Sequence, residues 1–420
     1  MKLFDFQKEV LEQSKDFNKV AYYYDMGLGK TFIGAEKLIR LNKKVNLVVC
    51  QKTKIDDWIE HFEKYYPNVN IFDLTNKKIY EDFIFGFFEG LPIVAVINYD
   101  LLFRRPELTQ LKDFTLLLDE SSLIQNEQSK RTKFIMKQMK PTNIILLSGT
   151  PTGGKYEKLW SQLYLLGYKI SKSTYWDEYV DYYKTKRFGF PLTVIRGYKN
   201  VDRLKMKMAE YGCFFKKTEE VFDLPNQTFI DIHCEPNKEY KKFKKTSVVK
   251  VDNTELVGDT TLTKLLYERQ LCGMYSDDKI SRLRDLLSST EDRVIIFYNF
   301  TDELYAIENV CFELNKPTSI VNGESKDLAC YEEYNNAVTI IQYQAGSMGL
   351  NLQKSNKIIY FSPTLTSELF EQSKKRTHRI GQGKPCFYYQ LICKDSVEEK
   401  MYSTLALRKD YTEKLFEKGV

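Results

Sequence analysis

At 420 residues, 43% hydrophobic and 29% charged, the chain is too long for one ordinary core and too apolar for a disordered segment, so two or three domains are expected. Its eight cysteines form no C-x-x-C pair and are joined by only three histidines, a usage that speaks against a structural zinc site and for a reducing cytoplasm. The net charge of +6 is uneven: residues 181–250 hold 16 Lys/Arg against 9 Asp/Glu, a footprint that suits a polyanion and equally a solvated lysine-rich helical face.

The first residues, MKLFDFQKEV, are interrupted by charge, so no signal peptide is expected. No apolar run approaches the ~20 residues of a bilayer span. Buried strands are predicted at 19–25 (KVAYYYD), 45–50 (VNLVVC), 92–98 (PIVAVIN), 115–120 (TLLLDE) and 143–150 (NIILLSGT). They lack polar alternation, as parallel strands covered on both faces do, and the stretches between them are long enough for crossover helices. A second set follows at 293–299, 318–322, 338–343, 357–362 and 386–392. The intervening 155–285 is rich in Tyr and Lys at helical spacing, which predicts two α/β lobes with a basic helical middle.

Chemistry enters at the first strand. KVAYYYD runs into MGLGKT and then into a helical pattern, so backbone N–H groups between strand and helix can approach phosphates. Lys30 is placed to reach the β/γ-phosphates and Thr31 to ligate Mg²⁺. Asp119 and Glu120 end a later apolar strand, where one carboxylate can sit beside Mg²⁺ while the other orients a water. The pair therefore predicts a lobe that binds ATP or GTP with Mg²⁺. Near the C-terminus, QSKKRTHRIGQ (372–382) packs basic side chains densely. If 367–380 is a helix, Gln372, Arg376 and Arg379 share one face while Lys374 and His378 point elsewhere. Two arginines on one face suit the charge of a phosphoryl transition state.

These stretches, in this order, resemble helicase superfamily 2, specifically its SWI/SNF-type family of DNA translocases. LFDFQKE looks like the glutamine motif, which implies that Gln7 reads adenine. DMGLGKT matches the family's phosphate loop and implies nucleotide contacts from Asp25, Met26, Gly27, Leu28, Gly29, Lys30 and Thr31. CQKTKIDDWIEHF and INYDLL resemble segments that touch a DNA strand, implying contacts from Lys52, Thr53, Trp58, Asn98 and Tyr99. DESSLIQN corresponds to the D-E-A-H box, with Ser122 in place of its histidine, and LSGTPTGGKYEKLWSQLYLL to the threonine-proline motif. FFKKTEEVFDLP adds Lys216 and Lys217 as DNA contacts. QAGSMGLNL implies Gly349 at the nucleotide and Gly346 and Asn351 at DNA, and H-R-I-G-Q is close to diagnostic of the family.

The resemblance implies two tandem RecA-like parallel-sheet lobes, an α/β fold with helical insertions between them. It divides the chain into 1–154 (ATP-binding lobe 1), 155–225 (basic insertion), 226–285 (linking segment) and 286–420 (lobe 2). It also implies ATP and Mg²⁺ as cofactors and duplex DNA as partner. No accessory chromatin-binding module is expected within these residues. The expected activity is ATP-driven translocation on duplex DNA. A strand-separating or fork-remodelling helicase and a non-catalytic nucleotide-gated DNA scaffold are the alternatives. The Lys-, Asn- and Tyr-rich composition points to a bacterial or phage-infected cell.

Overall fold

In the computed structural model, residues 3–86, 90–187, 190–251, 254–273, 276–345 and 350–416 are described. The chain forms two units, Met1–Val221 with Asp410–Val420, and Phe222–Lys409.

Unit 1 is built on β1 (Lys19–Tyr24), β2 (Val45–Cys50), β3 (Asn70–Asp73), β4 (Ile93–Asn98), β5 (Phe114–Asp119) and β6 (Asn143–Ser148), which are joined by a late strand, Cys213–Lys216. Between them in sequence lie β7 (Val180–Arg187) and β8 (Phe190–Tyr198), so the late strand is β9. The sheet order is β3-β4-β2-β5-β6-β1-β9, and every pairing is parallel. Each of the five strands predicted from apolar runs is present and buried almost throughout. Helices cover the faces, and the helix Lys30–Arg40 lies so close that a Cβ on Gly34 would come within 2.7 Å of Leu147. All-parallel order puts the loops after β1, β2, β4, β5 and β6 along one edge, where ligands of open α/β sheets bind.

Unit 2 has a six-stranded sheet of order β10-β17-β16-β13-β15-β14. Its strands are β10 (Gln227–Cys234), β13 (Val294–Tyr298), β14 (Thr318–Val321), β15 (Val338–Gln342), β16 (Lys357–Tyr360) and β17 (Cys386–Cys393). β11 (Val248–Val251) and β12 (Thr254–Val257) form a separate antiparallel pair. All five strands of the second predicted set are found. No helix among the described residues is long and apolar enough to cross a membrane.

The middle of the chain departs from expectation. Residues 155–225 are not wholly helical, because β7 and β8 make an antiparallel ribbon with Tyr183 opposite Val194 and Thr185 opposite Leu192. Tyr, Thr, Val and Ile favour a pleated surface. Lys184 and Lys186 are therefore alternate residues of one strand, not a helical stripe. β9 belongs to the sheet of unit 1 itself, and β10 begins the sheet of unit 2 within what was expected to be a link. Of the basic excess, 10 Lys/Arg against 5 Asp/Glu fall in 181–221 and 6 against 4 in 222–250. The unit boundary thus divides it into two regions.

Candidate active site

β1 ends at Tyr24, which is buried in the core and occupies the position where a full phosphate-loop pattern has glycine. The loop then turns on Gly27 (φ 86°) and Gly29 (φ 68°), backbone that residues with a Cβ rarely adopt. The helix Lys30–Arg40 follows at once, so the loop amides gather at a positive helix end. Lys30 Nζ donates to the carbonyls of Tyr24 (2.9 Å) and Asp25 (3.3 Å). Gln7 is buried beneath the loop: its Nε2 donates to the Leu28 carbonyl at 3.0 Å, and its Oε1 accepts the Phe4 N–H at 3.0 Å. A Cβ at Gly29 would meet that Nε2 at 2.6 Å, so Gln7 braces the loop backbone. Asp25 Oδ2 accepts from both the N–H (3.1 Å) and the hydroxyl (3.2 Å) of Thr218, tying the loop to the segment after β9.

Asp119 ends β5, two strands from β1 in the same sheet. Its Oδ1 accepts the Glu120 N–H at 3.0 Å, and its Oδ2 accepts the Trp58 indole N–H at 2.9 Å. Burial pushes its carboxyl above the usual range, against the opposing pull of Trp58 and of the Lys30 charge. Glu120 has φ 52° and ψ 57°, left-handed backbone that costs a non-glycine residue about 1–3 kcal/mol and is concentrated at functional sites. The hydroxyl of Thr31 and the carboxylate of Asp119 are hard oxygen donors that suit Mg²⁺.

A network missed in the sequence links this edge to the threonine-proline turn. Gln162 Oε1 accepts from Ser121 Oγ (2.7 Å) and Tyr23 Oη (3.0 Å), while its Nε2 donates to the Pro151 carbonyl at 2.8 Å. Gln125 Nε2 reaches the same carbonyl at 3.1 Å. The available signal was a lone amide in the apolar run LWSQLYLL, since a buried amide demands partners.

In unit 2 the expected helix 367–380 stops at Lys374, spanning only Ser367–Lys374. The chain tightens there, as Arg376 N–H binds the Ser373 carbonyl and Thr377 N–H the Lys374 carbonyl. The Arg376 carbonyl then accepts the Leu352 N–H, drawing the backbone towards that loop. Gln372 lies on the helix, whereas Arg376 and Arg379 lie in turns, so the shared helical face does not exist. Arg376 is buried, with Nη1 3.4 Å from the Leu350 carbonyl. Arg379 Nη1 donates to Asn351 Oδ1, and burial lowers the guanidinium pKa. Lys374 is buried in an ion pair with Glu371, and His378 Nε2 lies 2.9 Å from the Pro225 carbonyl. Gly346 and Gly349 lie outside the described residues.

Of the residues expected to touch DNA, Lys52 and Thr53 are exposed just after β2, and Asn98 is half-buried at the end of β4. Lys52, Asn98 and Arg104 share a groove of about 440 Å³ with Asp56, Asp73 and Asp100. Trp58 and Tyr99 are corrected by the structure: at 1% and 2% exposure neither presents a surface to DNA. Tyr99 Oη donates to the Asp119 carbonyl at 2.8 Å, so both side chains serve the carboxylate. Amphipathic segments put their large aromatics inward, and proximity in sequence concealed that. Lys216 is half-buried and paired with Glu220 at 3.4 Å, and Lys217 is half-buried beside it. Asn351 is exposed.

Comparison with known proteins agrees with this order of parts. The SNF2-related domain family matches residues 22–277, and the helicase conserved C-terminal domain matches 278–381. The chain is 24% identical, over 90% of its length, to SWI/SNF-related matrix-associated actin-dependent regulator of chromatin subfamily A member 1 of Mus musculus. It is 23% identical, over 93% of its length, to an uncharacterized ATP-dependent helicase of Mycoplasma pneumoniae. It spans only 39% of either relative. Among solved structures, the Sulfolobus solfataricus SWI2/SNF2 ATPase core in complex with dsDNA is 19% identical. That match covers 98% of this chain and 92% of the other, with a TM-score of 0.46.

Proposed function

We propose that this chain, which belongs to the SNF2-related domain family, is a DNA-dependent ATPase that moves along duplex DNA without sequence preference. The observation that carries the reading is the set Lys30, Asp119 and Glu120 on one edge of a single parallel sheet. A protein that only binds nucleotide has no use for a water-orienting carboxylate held in strained backbone.

Lys30, released from its carbonyl contacts, neutralises the β/γ-phosphates, and the loop amides cradle them. Thr31 and Asp119 would hold Mg²⁺, which supplies charge neutralisation on the phosphate oxygens. Glu120 orients the attacking water, and Arg376 and Arg379 supply the charge that favours hydrolysis. Gln7 and Gln372 are the further residues assigned to the nucleotide. Lys52, Thr53, Asn98 and Asn351, with the exposed lysines of 181–250, face phosphates, which makes binding salt-sensitive and blind to sequence. The Lys-, Asn- and Tyr-rich composition supports the cytoplasm of a bacterial or phage-infected cell as its setting.

The test is ATP turnover with no nucleic acid, single-stranded DNA, duplex DNA, forked DNA and RNA. Stimulation by duplex is expected, with affinity at least about tenfold weaker at 200 than at 50 mM salt. Equal turnover under every condition overturns the reading. Strand displacement on forked substrates would favour the helicase alternative, and no turnover anywhere the scaffold.

A further inference from the structure

We propose that Trp58 is a positioning residue through which DNA bound at the loop edge of unit 1 acts on Asp119. The inference rests on the DNA-dependent ATPase reading and specifies how the dependence is built.

Asp119 is held by groups of three different origins. Oδ1 takes the N–H of its own neighbour, Glu120. Oδ2 takes the indole N–H of Trp58 at 2.9 Å. The main-chain carbonyl takes the phenol of Tyr99 at 2.8 Å. The first travels with β5, but the other two do not. Trp58 sits in the helix Ile55–Tyr65, which begins directly after the turn Lys52–Lys54. Tyr99 immediately follows Asn98 at the end of β4. Each of the two stretches offered to DNA, the exposed Lys52–Thr53 and the half-buried Asn98, is thus followed within a few residues by a buried aromatic whose polar atom ends on Asp119.

The geometry suits transmission. Trp58 is 1% exposed and packs against Phe62 (ring centroids 5.9 Å) and His61 (6.2 Å), so its ring moves with its helix. An indole N–H is a donor only and has one bond to give. Donated to a carboxylate, that bond is charge-assisted and steeply dependent on distance and angle. A phosphate drawn to the Lys52–Lys54 turn therefore alters the orientation of the carboxylate that would hold Mg²⁺, without itself reaching the nucleotide. Tyr99 supplies a second lever of the same kind from the next strand.

Trp58→Phe keeps an aromatic ring, though a smaller one, and removes the donor. In full-length protein it is expected to lower duplex-stimulated kcat about tenfold, with duplex affinity within about twofold of the parent. The factor by which duplex raises turnover, taken against each protein's own DNA-free rate, should be smaller in the variant than in the parent. A readout independent of turnover is the ¹⁵N–¹H indole signal of Trp58, assigned by its loss in the variant. In the parent protein it should shift on adding duplex without nucleotide, and shift again with Mg·ADP. The chain has three tryptophans, so indole signals that all stay unmoved with duplex overturn the proposal even if the variant misfolds, as does wild-type stimulation in a folded variant. A parent protein that no DNA stimulates refutes the functional reading instead.

Discussion

Lys279 and Glu398 form a bidentate ion pair in the core of unit 2, with Nζ 2.7 and 2.8 Å from the two carboxylate oxygens and side chains 0% and 1% exposed. Burial is the largest single influence and disfavours the ammonium, but the Glu398 charge and hydrogen bond together with the Cys393 and Cys272 sulfurs outweigh it and raise the Lys279 pKa. The sulfurs of Cys272 and Cys393 lie within 4.8 Å of each other and of a Glu398 oxygen, a grouping the sequence spacing gave no reason to expect. The ammonium supplies the positive charge that this cluster faces. Lys279→Met leaves a buried carboxylate without its partner and should cost about 3–5 kcal/mol. Joint replacement by Met and Leu should recover most of the loss. Urea unfolding of the single and double variants measures both.

Glu120→Gln removes the water-orienting charge and keeps the shape. Hydrolysis should fall by at least about 10³ while ATP is still retained. Lys30→Ala should also be inactive, through loss of the charge at the phosphates. Nucleotide binding measured beside single-turnover hydrolysis separates the two variants.

Arg379 lies in a turn rather than on a helix, yet its guanidinium is anchored by Asn351. Arg379→Ala is expected to cut ATP turnover by about 10³ or more and to leave duplex affinity near that of the parent. Near-normal turnover would overturn the role proposed for Arg379.

His61 is buried against Phe32 (ring centroids 4.7 Å) and Tyr65 (5.0 Å), and burial lowers its pKa from 6.5 to about 4. The folded form keeps it neutral where the unfolded chain takes up a proton. Its contribution is therefore complete above 6.5 and is lost as the pH falls from there towards about 4. Unit 1 should lose stability across that window, and His61→Phe should flatten the slope. Urea midpoints measured at about pH 7 and about pH 5 check this.

How much was legible depended on whether a residue's neighbours are close in sequence. The strands of both sheets were readable because continuous apolar runs are a local property. So was the phosphate loop, where strand, glycines, lysine and helix adjoin, and so was the carboxylate pair at a strand end. The helix through Arg376 was not, because a tertiary bond from Leu352 N–H to the Arg376 carbonyl competes with helical continuation. The ribbon of β7 and β8 was missed because its strands, VDYYKTKR and FPLTVIRGY, carry no continuous apolar run.

The order of the parts follows from the chain's local patterns, since runs, turns and motifs succeed one another along it. Which way a side chain in a motif turns depends on packing between distant segments. Trp58 and Tyr99 stand in the segments expected to meet DNA, and both end on Asp119 instead. A large aromatic with one polar atom gains most by burying its ring and giving that atom a charged or carbonyl acceptor. The acceptor, 61 residues from Trp58 and 20 from Tyr99 in sequence, comes within reach only once the parallel sheet has formed.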